Sequence, residues 1–151
     1  MTSIGHAQLA RTRKMADALA SGIDDAFIAQ LVEQFYGAVR QDDLLGPIFA
    51  MHVKDWPRHL ARMKDFWASV MIESGRFSGS PMQKHIAVGG LNAAHFARWQ
   101  LLWDQTLTQI APSPQAADGF RQAARRIGES LLTGIEISCG GLAAASARAT
   151  M

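Results

Sequence analysis

The chain predicts an all-α domain, and three observations carry that prediction. Apolar residues return at three- and four-residue steps along four long stretches, no stretch alternates with period two, and there is neither a heptad run nor a repeat of fixed length. Five or so unequal helices packed on one another, without a solenoid, is the architecture this pattern implies. At 151 residues the chain fits one domain, long enough to bury roughly two-thirds of the surface its unfolded form exposes.

The elements follow in order. Residues 1–22 give only a weak helical pattern around Leu9, Met15 and Leu19, an N-terminal extension or pre-helix that stops before Ser21-Gly22. Phe27, Ile28, Leu31, Val32, Phe35, Tyr36 and Val39 then mark an amphipathic helix behind the capping candidates Asp24 and Asp25. Asp42 to Phe49 combines turn residues with apolar anchors and is expected as a compact corner. Asp55 can cap the next helix, with Pro57 in its first turn, and Trp56, Leu60, Met63, Phe66, Trp67, Val70 and Met71 trace its inner face. Between glycines, Pro81 to Ile86 is expected as a short apolar turn that ends at Gly89-Gly90. Asn92 caps a helix through Phe96, Trp99, Trp103, Leu107 and Ile110, and Ser113-Pro114 starts a last one that runs to about Ile135. The domain is thus expected over 23–137, with 138–151 a flexible low-complexity tail.

Composition removes several function classes. Hydrophobic residues make up 48% and charged residues 19%, an ordinary globular balance. The net charge of +2 is mild and its Lys and Arg are interspersed with Asp and Glu, so a nucleic-acid surface is not indicated. No apolar run is long enough for a signal peptide or a membrane span, and the single cysteine, Cys139, cannot form a disulfide within the chain. A cytoplasmic protein is the expectation.

Polar-tipped side chains stand on faces that should point inward: Tyr36, His59 and Trp99, on three different helical stretches. Each alone reads as a packed ring whose polar atom finds a carbonyl or a water. Three together, each costing about 1–3 kcal/mol if left buried and unpaired, ask for a shared polar ligand. His85 adds an imidazole on a brief glycine-bounded segment, the way an axial ligand is offered to a metal or a haem iron, although a lone histidine is more often packed or solvated. A flat cofactor with His85 on one side and Tyr36, His59 and Trp99 over the other uses all four. A non-haem metal site is disfavoured, because no Asp or Glu accompanies His59 and His85 at ligand spacing.

Six motifs in one order, Phe35-Tyr36-x-x-Val39-Arg40, Leu45-Gly46-Pro47-Ile48-Phe49, Trp56-x-x-His59, Phe66-Trp67, Gly79-x-Pro81-x-x-x-His85 and Phe96-x-x-Trp99, cover roughly residues 23–135. In these the chain resembles the truncated haemoglobins, specifically their third group. The resemblance implies a truncated globin fold, a compact helical sandwich around haem b. It implies His85 as the proximal iron ligand, Tyr36, His59 and Trp99 as distal residues around the bound gas, and Phe49 against the haem face. Met63, beside His59, joins the distal side as soft packing, and Phe66, Trp67 and Phe96 complete the expected haem contacts. Arg62 and Lys84 are within reach of the haem carboxylates or are simply solvated, and His52 and His95 are expected at the surface.

Such a site implies O2, NO, CO or peroxide as small ligands. Strong distal donors favour O2, NO or peroxide chemistry over bulk O2 transport, with NO dioxygenase or peroxidase-like activity as the enzymatic possibility and an unidentified reductase as its partner. The alternative is a cofactor-free helical interaction module, which leaves Tyr36, His59 and Trp99 without a common purpose.

Overall fold

The computed structural model describes residues 9, 13, 16–18, 20–72, 75 and 77–149, with 140–149 described by their backbone alone. From Asp24 onward six helices follow one another: α1 (Asp25–Gln41), α2 (Gly46–His52), α3 (Trp56–Ile72), α4 (Pro81–Val88), α5 (Ala93–Ile110) and α6 (Pro114–Ala149). The described residues before Ser21 are helical, Leu9 among them, whereas Met15 and Leu19 lie outside the described residues.

The four long helices start where side-chain acceptors meet otherwise orphaned backbone N–H groups. Asp24 accepts from Phe27 N at 2.8 Å, Asp55 from Arg58 N at 3.1 Å, Asn92 from Ala94 N at 3.0 Å and Ser113 from Ala116 N at 3.1 Å. Each such cap is worth about 1 kcal/mol.

Two expectations are corrected. Pro81 to Ile86 is not a turn but part of helix α4, because Ser80 caps it through Gln83 N at 3.4 Å and Pro81 takes the first turn, where a missing N–H costs little. Gly89 and Gly90, at φ 74° and 76°, then stop the helix in a conformation that a side chain would resist. The corner after Asp42 turns helical at Gly46, whose α-carbon sits so close to the Arg40 carbonyl that a Cβ there would lie 2.9 Å from its oxygen. The helical backbone continues over 138–149, within the stretch read from the sequence as a flexible low-complexity tail. Alanine is the best helix former and no proline interrupts the run, while Thr150 and Met151 lie outside the described residues.

Helix α1 packs on α3 and α5, and α6 packs on α5, α4 and α3. The core fills between them with Ile28, Leu31, Val32, Phe35, Trp103, Leu107 and Phe120, all at most 1% exposed. Burying each of these large side chains contributes about 1.5–3 kcal/mol. Trp103 is the hub: its ring stacks on Trp67 at 4.4 Å and its Nε1–H donates to the Phe120 carbonyl at 3.2 Å.

A charged clasp joins the α1–α2 corner to α5. Asp42, only 7% exposed, accepts from Leu44 N and Leu45 N through one oxygen and from Arg98 Nε at 2.6 Å through the other. Burial alone would raise its pKa. The Leu45 and Leu44 hydrogen bonds and the Arg98 guanidinium outweigh burial and hold the carboxyl below the ordinary aspartate range.

Candidate functional site

The helices leave between them a cavity of about 540 Å³, within the size range of cofactor sites. All nine site residues expected from the sequence line it: Tyr36 from α1, Phe49 from α2, His59, Met63, Phe66 and Trp67 from α3, His85 from α4, and Phe96 and Trp99 from α5. Arg62 and Lys84 line it too, as do His52 and His95, which were expected at the surface. His52 is exposed, and half-buried His95 serves the start of its own helix, where its Nδ1 accepts from Asn92 N at 3.0 Å and completes the capping box of α5. Sequence reasoning missed Leu45, Leu91, Ile127 and Leu131 on the cavity wall. Their signal was hydrophobicity alone, which does not separate cavity wall from core.

One wall is aromatic with polar tips. The Tyr36 and His59 rings meet edge to face, centroids 5.0 Å apart at 85°, and Phe49 lies 5.7 Å from Tyr36 and 6.1 Å from His59. Phe35 sits between Tyr36 and Trp99, with centroids 5.0 and 6.1 Å away. Trp99 stacks on Trp103 at 6.1 Å and 11°, which fixes the plane of its indole. Burial pushes the Tyr36 hydroxyl above the ordinary tyrosine range, so it stays protonated and can donate. Burial first, then the Lys84 and Arg62 charges, lowers the pKa of His59, so its ring is neutral at physiological pH. The Nε2 of His59 is sealed from solvent and finds no hydrogen-bond partner among the described residues. Burying a polar atom without a partner is costly, so this nitrogen is suited to meet a polar ligand in the cavity.

The wall from α4 presents His85. Its Nδ1–H donates to the Pro81 carbonyl, one turn earlier, at 2.6 Å. Because a carbonyl can only accept, the neutral ring keeps its proton on Nδ1 and offers an unprotonated Nε2. Phe96 flanks the ring at 6.5 Å. Two contacts from α3 fix the approach to α4: Arg62 donates to the Ser78 carbonyl at 3.3 Å, and the Ser69 hydroxyl accepts from Phe77 N at 3.1 Å. Helix α4 therefore holds a basic nitrogen whose ring is oriented by a backbone carbonyl, as the ring of a metal-ligating histidine is. Among the described residues no group of three His, Cys, Asp or Glu side chains could hold a bare ion.

The chain is 34% identical over 92 residues to the Group 3 truncated hemoglobin ctb of Campylobacter jejuni subsp. jejuni, a match spanning 58% of this chain and 72% of that protein. It belongs to the group III truncated haemoglobins. The crystal structure of a group III truncated hemoglobin from Campylobacter jejuni matches this truncated haemoglobin with a TM-score of 0.70 at 29% identity, covering 75% of this chain and 91% of that one. No family model matches the chain. The all-α truncated globin fold is thus established, and with it a globin-type haem protein for small ligands. The residues present fit a haem: a mainly apolar, aromatic-walled cavity of suitable size, a free imidazole nitrogen on one helix and an unpartnered one on another. None of the described helices of this truncated haemoglobin is long and apolar enough to cross a membrane.

Proposed function

We propose that the cavity holds haem b with His85 as its one protein ligand to the iron, and that Tyr36, His59 and Trp99 bind and act upon a diatomic ligand. The observation that carries this reading is the Nδ1–H to Pro81 carbonyl bond of His85, which leaves Nε2 as a free donor on the cavity wall. When bound, the haem supplies a redox-active iron with one open position. Phe49, Met63, Phe66, Trp67 and Phe96 give the soft walls that exclude water from it.

The rest is done by three side chains. Tyr36, protonated and buried, donates its O–H to a ligand that carries partial negative charge, and Trp99 Nε1–H is a donor only. Neutral His59 has one nitrogen to donate and one to accept, so it can stabilise the ligand or hold a proton beside it. Such donors slow the release of O2 and polarise the O–O bond, which suits NO dioxygenation or peroxide turnover and disfavours bulk transport. CO competes for the same position. Continuous turnover needs an electron donor, so a reductase is the expected protein partner. The single exposed Cys139 suits a reducing, cytoplasmic setting.

Stopped-flow measurement on the haem-loaded ferrous protein tests the reading. Slow O2 release, together with consumption of NO by the oxygenated form, is expected. Fast release with no NO consumption would reject chemistry in favour of delivery.

A further inference from the structure

Trp56 stands one turn before His59 on α3, and Arg40 one turn after Tyr36 on α1. The Arg40 guanidinium lies over the Trp56 ring, 4.4 Å from its centroid. The same indole meets Tyr36 at 6.1 Å and His59 at 5.5 Å, both edge to face, and stacks on Phe49 at 6.3 Å and 28°. Among the described residues, Tyr36, Phe49 and His59 line the cavity and Trp56 does not. It therefore meets the cavity through the rings that line it.

The Nε2 of His59 is sealed from solvent and no described residue hydrogen-bonds it, so ring packing holds this side chain in place. Edge contacts with Tyr36, Phe49 and Trp56 supply that packing. Trp56 is only half-buried and an exposed cation covers its face, where a core tryptophan would be packed by apolar groups. A cation over one face of the indole and edge contacts at its rim fix Trp56 against His59.

The geometry points to Trp56, braced by Arg40, as a latch that holds His59 inside the cavity and so sets how fast small ligands enter and leave. It is a positioning residue for the distal pair and rests on the proposed reading of His59 as a ligand-facing group. Its signature is kinetic: Trp56→Ala and Arg40→Ala free the His59 ring to turn out of the cavity, and Arg40→Lys, which keeps a cation, largely preserves the latch.

Two measurements test it. In the haem-loaded ferrous protein, CO recombination after flash photolysis should quicken roughly 3- to 10-fold in Trp56→Ala, the range expected for loss of one edge-on ring contact, and by less in Arg40→Ala. In a His59→Ala background the Trp56 substitution should add nothing further. In the haem-free chain, imidazole NMR should find His59 titrating below the ordinary histidine range, and moving up toward it in Trp56→Ala as the ring reaches water. Unchanged CO rates, a Trp56 effect that survives in full without His59, or a His59 titration indifferent to Trp56 would each overturn the latch. If the chain takes up no haem, the haem reading fails and the NMR measurement alone decides the latch. Arg40 is exposed, so Arg40→Ala carries the kinetic test if Trp56→Ala does not fold.

Discussion

His85→Ala is expected to abolish stable haem capture. Losing an outer-shell partner of a metal ligand typically costs 10- to 100-fold in affinity, so losing the ligand itself should cost more than about 100-fold. The substitution is well suited to the question because alanine favours the helix that carries it, and α4 keeps its Ser80 cap and its glycine stop. Any loss of haem then reports the missing nitrogen and not a collapsed helix. Added imidazole should restore a ligated spectrum. His95→Ala is the matched control: it also removes an imidazole from the cavity wall, but its expected cost is the capping bond to Asn92 N, about 1 kcal/mol of stability, with haem retained. Visible titration with haemin, alongside thermal melts of the haem-free chains, separates the two. Equal haem affinity in His85→Ala and the wild type would remove His85 from the iron.

Tyr36→Phe and Trp99→Phe should give the next largest effect, on O2 release. Phenylalanine keeps the Tyr36 ring against Phe35, Phe49 and His59 while deleting its hydroxyl. A hydrogen bond to a charged partner is worth about 1.5–3 kcal/mol, so each substitution should speed O2 dissociation roughly 10- to 100-fold. The pair should fall short of the product, because Phe35 links the two rings and His59 can take over part of the donation. Trp99→Phe also vacates space against Trp103 and beside Gly128, where a Cβ would already lie 3.5 Å from the indole, so it should lower thermal stability as well. Stopped-flow O2 dissociation checks the kinetic claim. Off-rates unmoved by both substitutions, and by the two together, would take Tyr36 and Trp99 out of ligand control.

How much of this the sequence disclosed depends on how local each cause is. Helices α1, α3, α5 and α6 were legible because each has a cap and an apolar face long enough to show its period: Asp24, Asp55, Asn92 and Ser113 all sit where the pattern begins. Helix α4 was not, because eight residues between glycines carry too little periodicity. Its Ser80-Pro81 start is the same signal as Ser113-Pro114 and was there to be used. Helix α2 was hidden behind Asp42-Asp43 and Gly46-Pro47, which carry turn chemistry on either side of Leu44-Leu45.

At the site, inward-facing polar tips on apolar stripes picked out Tyr36, His59 and Trp99, and the structure brings all three to one cavity with His85. The contacts that depend on distant residues were beyond reach. The Asp42–Arg98 clasp spans 56 positions, and nothing in the sequence around Arg40 or around Trp56, on separate helices, announces that one lies over the other. The capping role of His95 was local, yet it was obscured because the side chain serves the helix start and the cavity wall at once.

Haemin titration of the purified wild-type chain tests the central claim most directly. A haem site built on His85 predicts a saturable Soret band at one haem per chain. A chain that stays colourless at saturating haemin would contradict it.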